Sequence, residues 1–156
     1  MSEPLNVVLV EPEIPQNTGS IGRLCLAMKC RLHLVEPFGF ELSDRTLKRA
    51  GLDYWQHLDV KRYPSLEAFL ETIPASAQRV LFSKKAGRSI TQTSFEEGSY
   101  LFFGKETAGL PEWFLDQYAM DCSRLPMKDA RVRSLNLAMC VGIAVFEASR
   151  QIEILD

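Results

Sequence analysis

The chain has 156 residues, 46% of them hydrophobic and 24% charged, with a net charge of −2. That is one domain's worth of chain with enough apolar residues for a core, which excludes a disordered or fibrous protein. The N-terminal stretch MSEPLNVVLVEPE lacks the basic start and long apolar run of a secretory signal, and the longest apolar run, Met139 to Phe146, is too short to span a bilayer. A cytoplasmic protein is expected, with no membrane partner.

Leu5 to Val10 reads as an apolar strand with Asn6 as its one polar member. A loop with Pro12 and Pro15 follows, and Asn17 or Thr18 is placed to cap a helix running to about Lys29, with Ile21, Leu24, Cys25 and Met28 at helical spacing. Arg31 to Val35 alternates as a short strand. Ser43 caps a short helix through Ala50, which Gly51 ends. His57 to Tyr63 is a further candidate strand, and Ser65 caps a helix to about Thr72.

Arg79 to Ser83 and Tyr100 to Phe103 are the next strands; Pro111 suits the first turn of a helix to about Gln117. Met120 to Leu125 is a candidate last strand, and Ser134 is placed to cap a long helix to about Ile152. Alternating strands and helices predict a single α/β domain over residues 1–156, a mostly parallel sheet with helices on both faces. The last helix is apolar all round, from Leu135 to Ala148, so a partner subunit or the interior of a monomer must cover its outer face.

The four cysteines, Cys25, Cys30, Cys122 and Cys140, lack paired C-x-x-C spacing and read as reduced thiols. The only histidines are His33 and His57, no H-E-x-x-H or Cys/His cluster exists, and no metal is expected. Charge is unevenly spread. Arg79, Lys84, Lys85 and Arg88 lie in a stretch without acidic residues; Arg124, Lys128, Arg131 and Arg133 face only Asp129; Arg45, Lys48, Arg49, Lys61 and Arg62 outnumber Asp53 and Asp59. Such patches suit either an anionic polymer or plain solvation.

Three stretches stand out. In NTGSIGR, Arg23 follows Asn17 by six residues, where it can sit beside a ligand at the strand ends, held by the Asn17 amide, or simply on the surface. GKETAGLP, Gly104 to Pro111, follows a strand but carries Leu110 and Pro111 where a phosphate loop has Lys and Ser or Thr. It is a connector, or a cradle whose glycines expose backbone to a neutral or cationic ligand, the charge preference following from Glu106. In RLPMKDARVRSLNLA, Asn136 on an otherwise apolar helix needs a partner, from a ligand or a facing loop.

Together and in this order the three stretches resemble the motifs of the SPOUT superfamily of S-adenosylmethionine-dependent RNA methyltransferases: Asn17–Arg23 the first, Gly104–Pro111 the second, Leu125-Pro126-Met127 with Arg133–Leu137 the third. The resemblance covers nearly the whole chain. The segments EPEIPQNTG, Glu11 to Gly19, and RAGLDYW, Arg49 to Trp55, narrow it to the minimal branch that methylates the ribose 2′-hydroxyl of the wobble nucleotide, position 34, in the anticodon loop of leucine tRNAs.

The resemblance implies a deep C-terminal trefoil knot and a homodimer that buries the last helix. It implies S-adenosylmethionine held by Ser83, Gly104, Glu106, Gly109, Leu125, Met127, Ser134, Leu135 and Ala138. It implies catalytic roles for Arg23, Asn17, Glu106, Ser134 and Asn136. RNA contact falls to Arg45, Lys48, Arg49, Lys84, Lys85, Arg88, Arg131 and Arg133, with Tyr54 and Trp55 as stacking or core aromatics. This chain departs from the pattern at Ala138 and Met139, where relatives often have Ser-Asn, and at Phe146, where they often have tyrosine. Two alternatives stand beside this reading: action on another tRNA or rRNA ribose, and a knotted RNA-binding protein without catalysis.

Overall fold

The structure, a computed structural model, describes residues 3–41 and 53–153. The predicted helix from Ser43 to Ala50 lies outside the described residues, as do Arg45, Lys48 and Arg49. The elements are β1 (Asn6–Val10), α1 (Pro15–Ala27), β2 (Arg31–Val35), a 3-10 turn (Asp53–His57), β3 (Val60–Tyr63), α2 (Leu66–Leu70), β4 (Arg79–Phe82), β5 (Tyr100–Phe103), α3 (Glu112–Gln117), β6 (Cys122–Ser123) and α4 (Leu137–Ile152).

The strands form one sheet in the order β3-β2-β1-β5-β4-β6, every pairing parallel. A parallel sheet covered on both faces wants near-continuous apolar strands, and β1 is buried at all five positions. Val7, Leu9, Leu32, Leu34, Leu101 and Phe103 face one layer, built from α1 and α4; Val8, Val10, Leu81 and Phe102 face the other, built from α2 and α3. β2 is buried at four of its five positions rather than alternating, because helices cover both sides. Asn6, the polar member of β1, donates from its amide to Gly98 O at 3.0 Å and meets His33 Nε2 through Oδ1 at 2.9 Å; Tyr63 OH holds the other ring nitrogen at 3.0 Å.

Three helix starts differ from the sequence expectation; in the smallest difference α3 begins at Glu112, with Pro111 at its N-cap rather than in its first turn. α1 begins at Pro15 with Ile14 at its N-cap, so Asn17 lies in the first turn and caps nothing. α4 begins at Leu137, and its N-cap is Asn136, whose Oδ1 accepts from the N–H groups of Ala138 and Met139; Ser134 lies two residues before it. Ser65 caps α2 as expected, through Ala68 N–H. The last strand shrinks to two residues because only Cys122 and Ser123 find ladder partners on β4.

α4 buries Leu137, Val141, Ala144, Val145 and Ala148 against α1 and the sheet. Its opposite face carries Met139, Ile143 and Phe146, exposed by 63, 46 and 59%. Beyond β6 the chain is held by the segment after β4. Arg124 N–H donates to Arg88 O, Arg124 O accepts from Ile90 N–H, and the Arg124 guanidinium donates to Ala86 O.

Candidate active site

At the carboxyl ends of β4 and β5 a cavity of about 680 Å³ opens. This is where parallel sheets place ligands. Its walls come from four stretches: Phe82 to Lys85 after β4, Phe103 to Leu110 after β5, Leu125 with Met127 after β6, and Arg133 to Leu137 leading into α4. Ile14 and Asn17 close it from α1, Glu112 and Leu115 from α3, and Cys140 from α4.

The glycine loop is shaped by its own backbone. A Cβ on Gly104 would lie 2.0 Å from the carbonyl carbon of Gly109 and 2.1 Å from Leu110 N, so no side chain fits there. Gly109 has φ +72°, the left-handed region that glycine enters without steric cost. Its N–H donates to Lys105 O at 2.9 Å, which closes residues 105–109 into a tight turn.

That turn is tied to the loop before α1 by two glutamates. The Glu106 carboxylate accepts from Glu13 N–H at 2.8 Å, Ile14 N–H at 2.9 Å and the Asn17 amide at 3.1 Å. These are N–H groups at the start of α1, where a carboxylate also matches the helix dipole. Reciprocally, Glu13 accepts from Thr107 N–H at 2.9 Å and Thr107 Oγ1 at 2.8 Å. Those two bonds hold the Glu13 carboxyl below its ordinary pKa. Lys105 adds an ion pair to Glu11 at 3.8 Å.

Asn17 joins the third stretch as well: its Oδ1 accepts from the Asn136 amide at 3.1 Å. Thus Glu106, Asn17 and Asn136 form one hydrogen-bonded line across three segments far apart in the chain. The partner that Asn136 needs is Asn17, together with the first turn of α4. The expected hold of Asn17 on Arg23 is not what the structure has. The Asn17 side chain is taken up by Glu106 and Asn136, while Arg23 is exposed on α1 and outside the cavity wall.

Of the residues expected around a ligand, Ser83, Gly104, Glu106, Gly109, Leu125, Met127, Ser134 and Leu135 all line the cavity, and Ala138 does not. Ala138 is turned to the α1–α4 core layer. Cys140 lines the cavity without having been singled out; burial pushes its thiol pKa up.

Lys84, Lys85 and Arg133 stand at the cavity mouth, exposed. Lys85 pairs with Glu112, Arg131 binds Asp129 through two nitrogens, and half-buried Arg88 donates to Met120 O at 3.0 Å. Tyr54 and Trp55 are both used by α1. Tyr54 OH donates to Gly19 O at 2.9 Å, and the Trp55 ring lies so close to Gly22 that a Cβ there would sit 2.4 Å from it. Among the described residues no group of three or more His, Cys, Asp or Glu side chains is placed to hold a metal ion.

The family model described as the SpoU rRNA Methylase family matches residues 4–146. The tRNA (cytidine(34)-2'-O)-methyltransferase of Yersinia pestis is 44% identical over 153 residues, covering 95% of this chain and 94% of that protein. The protein of the same name from Aeromonas hydrophila is 44% identical over 150 residues, with coverages of 95% and 94%. A solved structure described as giving insight into 2-OH methylation of C/U34 on tRNA superposes with a TM-score of 0.89 at 47% identity, covering 96% of both chains. An AdoMet-bound rRNA methyltransferase from Sinorhizobium meliloti superposes with a TM-score of 0.83 at 28% identity, over 96% of this chain and 57% of that one.

Proposed function

The chain belongs to the SpoU rRNA methylase family, and from that membership we propose that it transfers a methyl group from S-adenosylmethionine to the ribose 2′-hydroxyl of nucleotide 34 of leucine tRNAs. The observation that carries the reading is the convergence of the three motif stretches on one cavity at the strand ends, linked through Glu106, Asn17 and Asn136. The relatives named for cytidine 34 supply the position on the RNA.

The cavity fits that cofactor. Phe82, Phe103, Leu110, Leu115, Leu125 and Leu135 offer apolar walls for a base; Lys84, Lys85 and Arg133 offer cations for a carboxylate. Gly109, where a Cβ would meet open space, leaves bare backbone for polar edges. S-Adenosylmethionine, when bound, supplies an electrophilic methyl group on a sulfonium centre. Ser83, Gly104, Gly109, Leu125, Met127, Ser134 and Leu135 bind and orient it. Glu106, Asn17 and Asn136 fix the three loops relative to one another, so that geometry is set before the RNA arrives. Arg23 binds a phosphate of the RNA and orients the hydroxyl. A guanidinium keeps its proton in proteins, so orientation rather than proton removal is its assigned work, and the proton displaced from the 2′-hydroxyl leaves to solvent water.

The RNA lies across Lys84, Lys85, Arg88, Arg131 and Arg133, joined by Arg45, Lys48 and Arg49. The surface pairs that Lys85 and Arg131 now make are weak enough for a phosphate to displace. Met139, Ile143 and Phe146 on α4 meet the same face of a second copy, giving a homodimer. The chain after Arg124 threads the segment after β4 as a trefoil knot. The bonds of Arg124 to Ala86, Arg88 and Ile90 support that path. The protein works in the cytoplasm, where tRNA is modified.

The deciding experiment incubates the protein with labelled S-adenosylmethionine and total tRNA and maps the methylated nucleotide. Label at the 2′-oxygen of nucleotide 34 in leucine tRNAs is expected. Label at another ribose, or bound cofactor without transfer, overturns the assignment.

A further inference from the structure

We propose that Glu13 is a positioning residue for the cofactor, acting through Thr107 to hold the tip of the glycine loop against the cavity; the proposal rests on the methyltransferase reading above. The turn from Lys105 to Gly109 is closed at its base by Gly109 N–H on Lys105 O. Its tip, Thr107 and Ala108, lines the cavity, while Glu13 does not. The tip is anchored from outside by one side chain, since both the N–H and the hydroxyl of Thr107 donate to Glu13 Oε1, at 2.9 and 2.8 Å.

The arrangement separates two tasks that Glu106 and Glu13 superficially share. Glu106 reaches out of the loop and binds the start of α1, so its loss frees the helix entrance, Asn17 and the loop together. Glu13 reaches into the loop and, among the described residues, its carboxylate accepts only from Thr107, so its loss frees the loop tip and leaves the line from Glu106 through Asn17 to Asn136 intact. A bond to a carboxylate is charge-assisted and directional, and two converging on one oxygen fix both the height and the tilt of the peptide at residue 107. A ligand that rests on bare backbone at that point needs the peptide held before it binds. Otherwise the cost of ordering the loop is taken out of its affinity.

The test measures S-adenosylmethionine affinity by calorimetry, methyl transfer at saturating cofactor, and hydrogen exchange at residues 105–109 without ligand. Glu13→Ala is expected to weaken cofactor binding about tenfold, as for loss of a charge-assisted bond. It should leave kcat within about twofold, since the rate at saturation does not depend on that ordering cost, and lower the melting temperature only slightly, the lost bonds being exposed ones. Thr107→Val should do the same, the double variant should be no worse than either single one, and Glu13→Gln, which keeps one acceptor oxygen, should recover part of the loss. Exchange at the Thr107 amide should rise in Glu13→Ala. Unchanged affinity, or additive losses in the double variant, overturns the proposal. If the unmutated protein binds no S-adenosylmethionine, the methyltransferase reading falls and the cofactor role with it; the exchange arm then still decides whether Glu13 holds the loop.

Discussion

The side chains of Asn17 and Asn136 meet at 3.1 Å across 119 residues of sequence, the Asn136 amide donating to the Asn17 oxygen. Asn136 uses its own oxygen to cap α4, so one side chain both starts a helix and ties it to α1. The two duties separate by substitution. Asn136→Ala should lose about 1 kcal/mol from the lost cap and also lose transfer activity. Asn136→Asp keeps the cap oxygen but faces the Asn17 oxygen with a carboxylate; its melting temperature should stay near that of the unmutated protein while activity falls. Equal activity in Asn136→Asp and the parent would show that the link is not needed.

Gly104 and Gly109 differ in what they forbid. Gly104→Ala forces backbone apart at residues 109 and 110 and should cost roughly 3 kcal/mol as an overpacking defect, with cofactor binding lost. Gly109→Ala meets open space but must hold φ +72°, a strain of about 1 kcal/mol. Denaturant titration of both variants checks the order; a milder Gly104→Ala would contradict the close approach.

Arg23 stands outside the cavity wall and outside the Glu106–Asn17–Asn136 line. Arg23→Ala should therefore keep cofactor affinity and stability while lowering transfer by about 100-fold or more, the scale of lost orientation of a reacting group. Single-turnover rates with calorimetric affinities separate the two effects. Near-normal turnover removes Arg23 from the mechanism.

His33 contributes a pH response of stability between pH 6.5 and about 4. Burial among β1, β2 and β3 lowers its pKa from 6.5 to about 4; Asp59 pulls it up slightly, and Lys61 and Arg31 push it down. Asn6, Tyr63, Tyr100 and Phe69 complete its surroundings. The folded pKa lies below the unfolded one, so the unfolded chain takes up the proton first. Stability is full above pH 6.5 and falls as the pH drops toward 4, by on the order of 3 kcal/mol at most. Unfolding of the parent and of His33→Gln at pH 7.5 and 4.5 checks this: the parent should lose more than the variant, and equal losses would place the effect elsewhere.

Ile143 and Phe146 lie on the outer face of α4, away from the cavity. The proposed homodimer places this face at its centre, so Ile143→Lys should weaken it on the order of 100-fold, as for a charge set into an apolar interface, while leaving the isolated fold intact. Sedimentation at several concentrations measures it. A dimer undisturbed by the change would mean that another face is used.

The order of elements was legible because β1 and β5 are short, almost wholly buried apolar runs and the loops between strands carry proline and glycine; β3, with Lys61 and Arg62 exposed, is no such run, and it starts at Val60 rather than His57. Helix starts were less legible. Asn17 and Ser134 look like caps locally, but Glu106 occupies the entrance of α1 from 89 residues away in sequence from Asn17, and the chain reaches helical geometry only after Asn136. The cavity-lining stretches could be found because the motifs are contiguous. Glu13, Cys140 and the packing of Trp55 on Gly22 could not, since each depends on what the fold brings opposite it. Tyr54 is a further case: stacking and core packing are both open to it in the sequence, and only the fold brings its hydroxyl onto the Gly19 carbonyl.

The cavity wall takes residues from Ile14 at one extreme to Cys140 at the other. A chain that stops before α4 holds all six strands of the sheet but lacks Leu137 and Cys140, and with them part of that wall. The pocket is thus a late product of the chain, complete only when its last helix is in place.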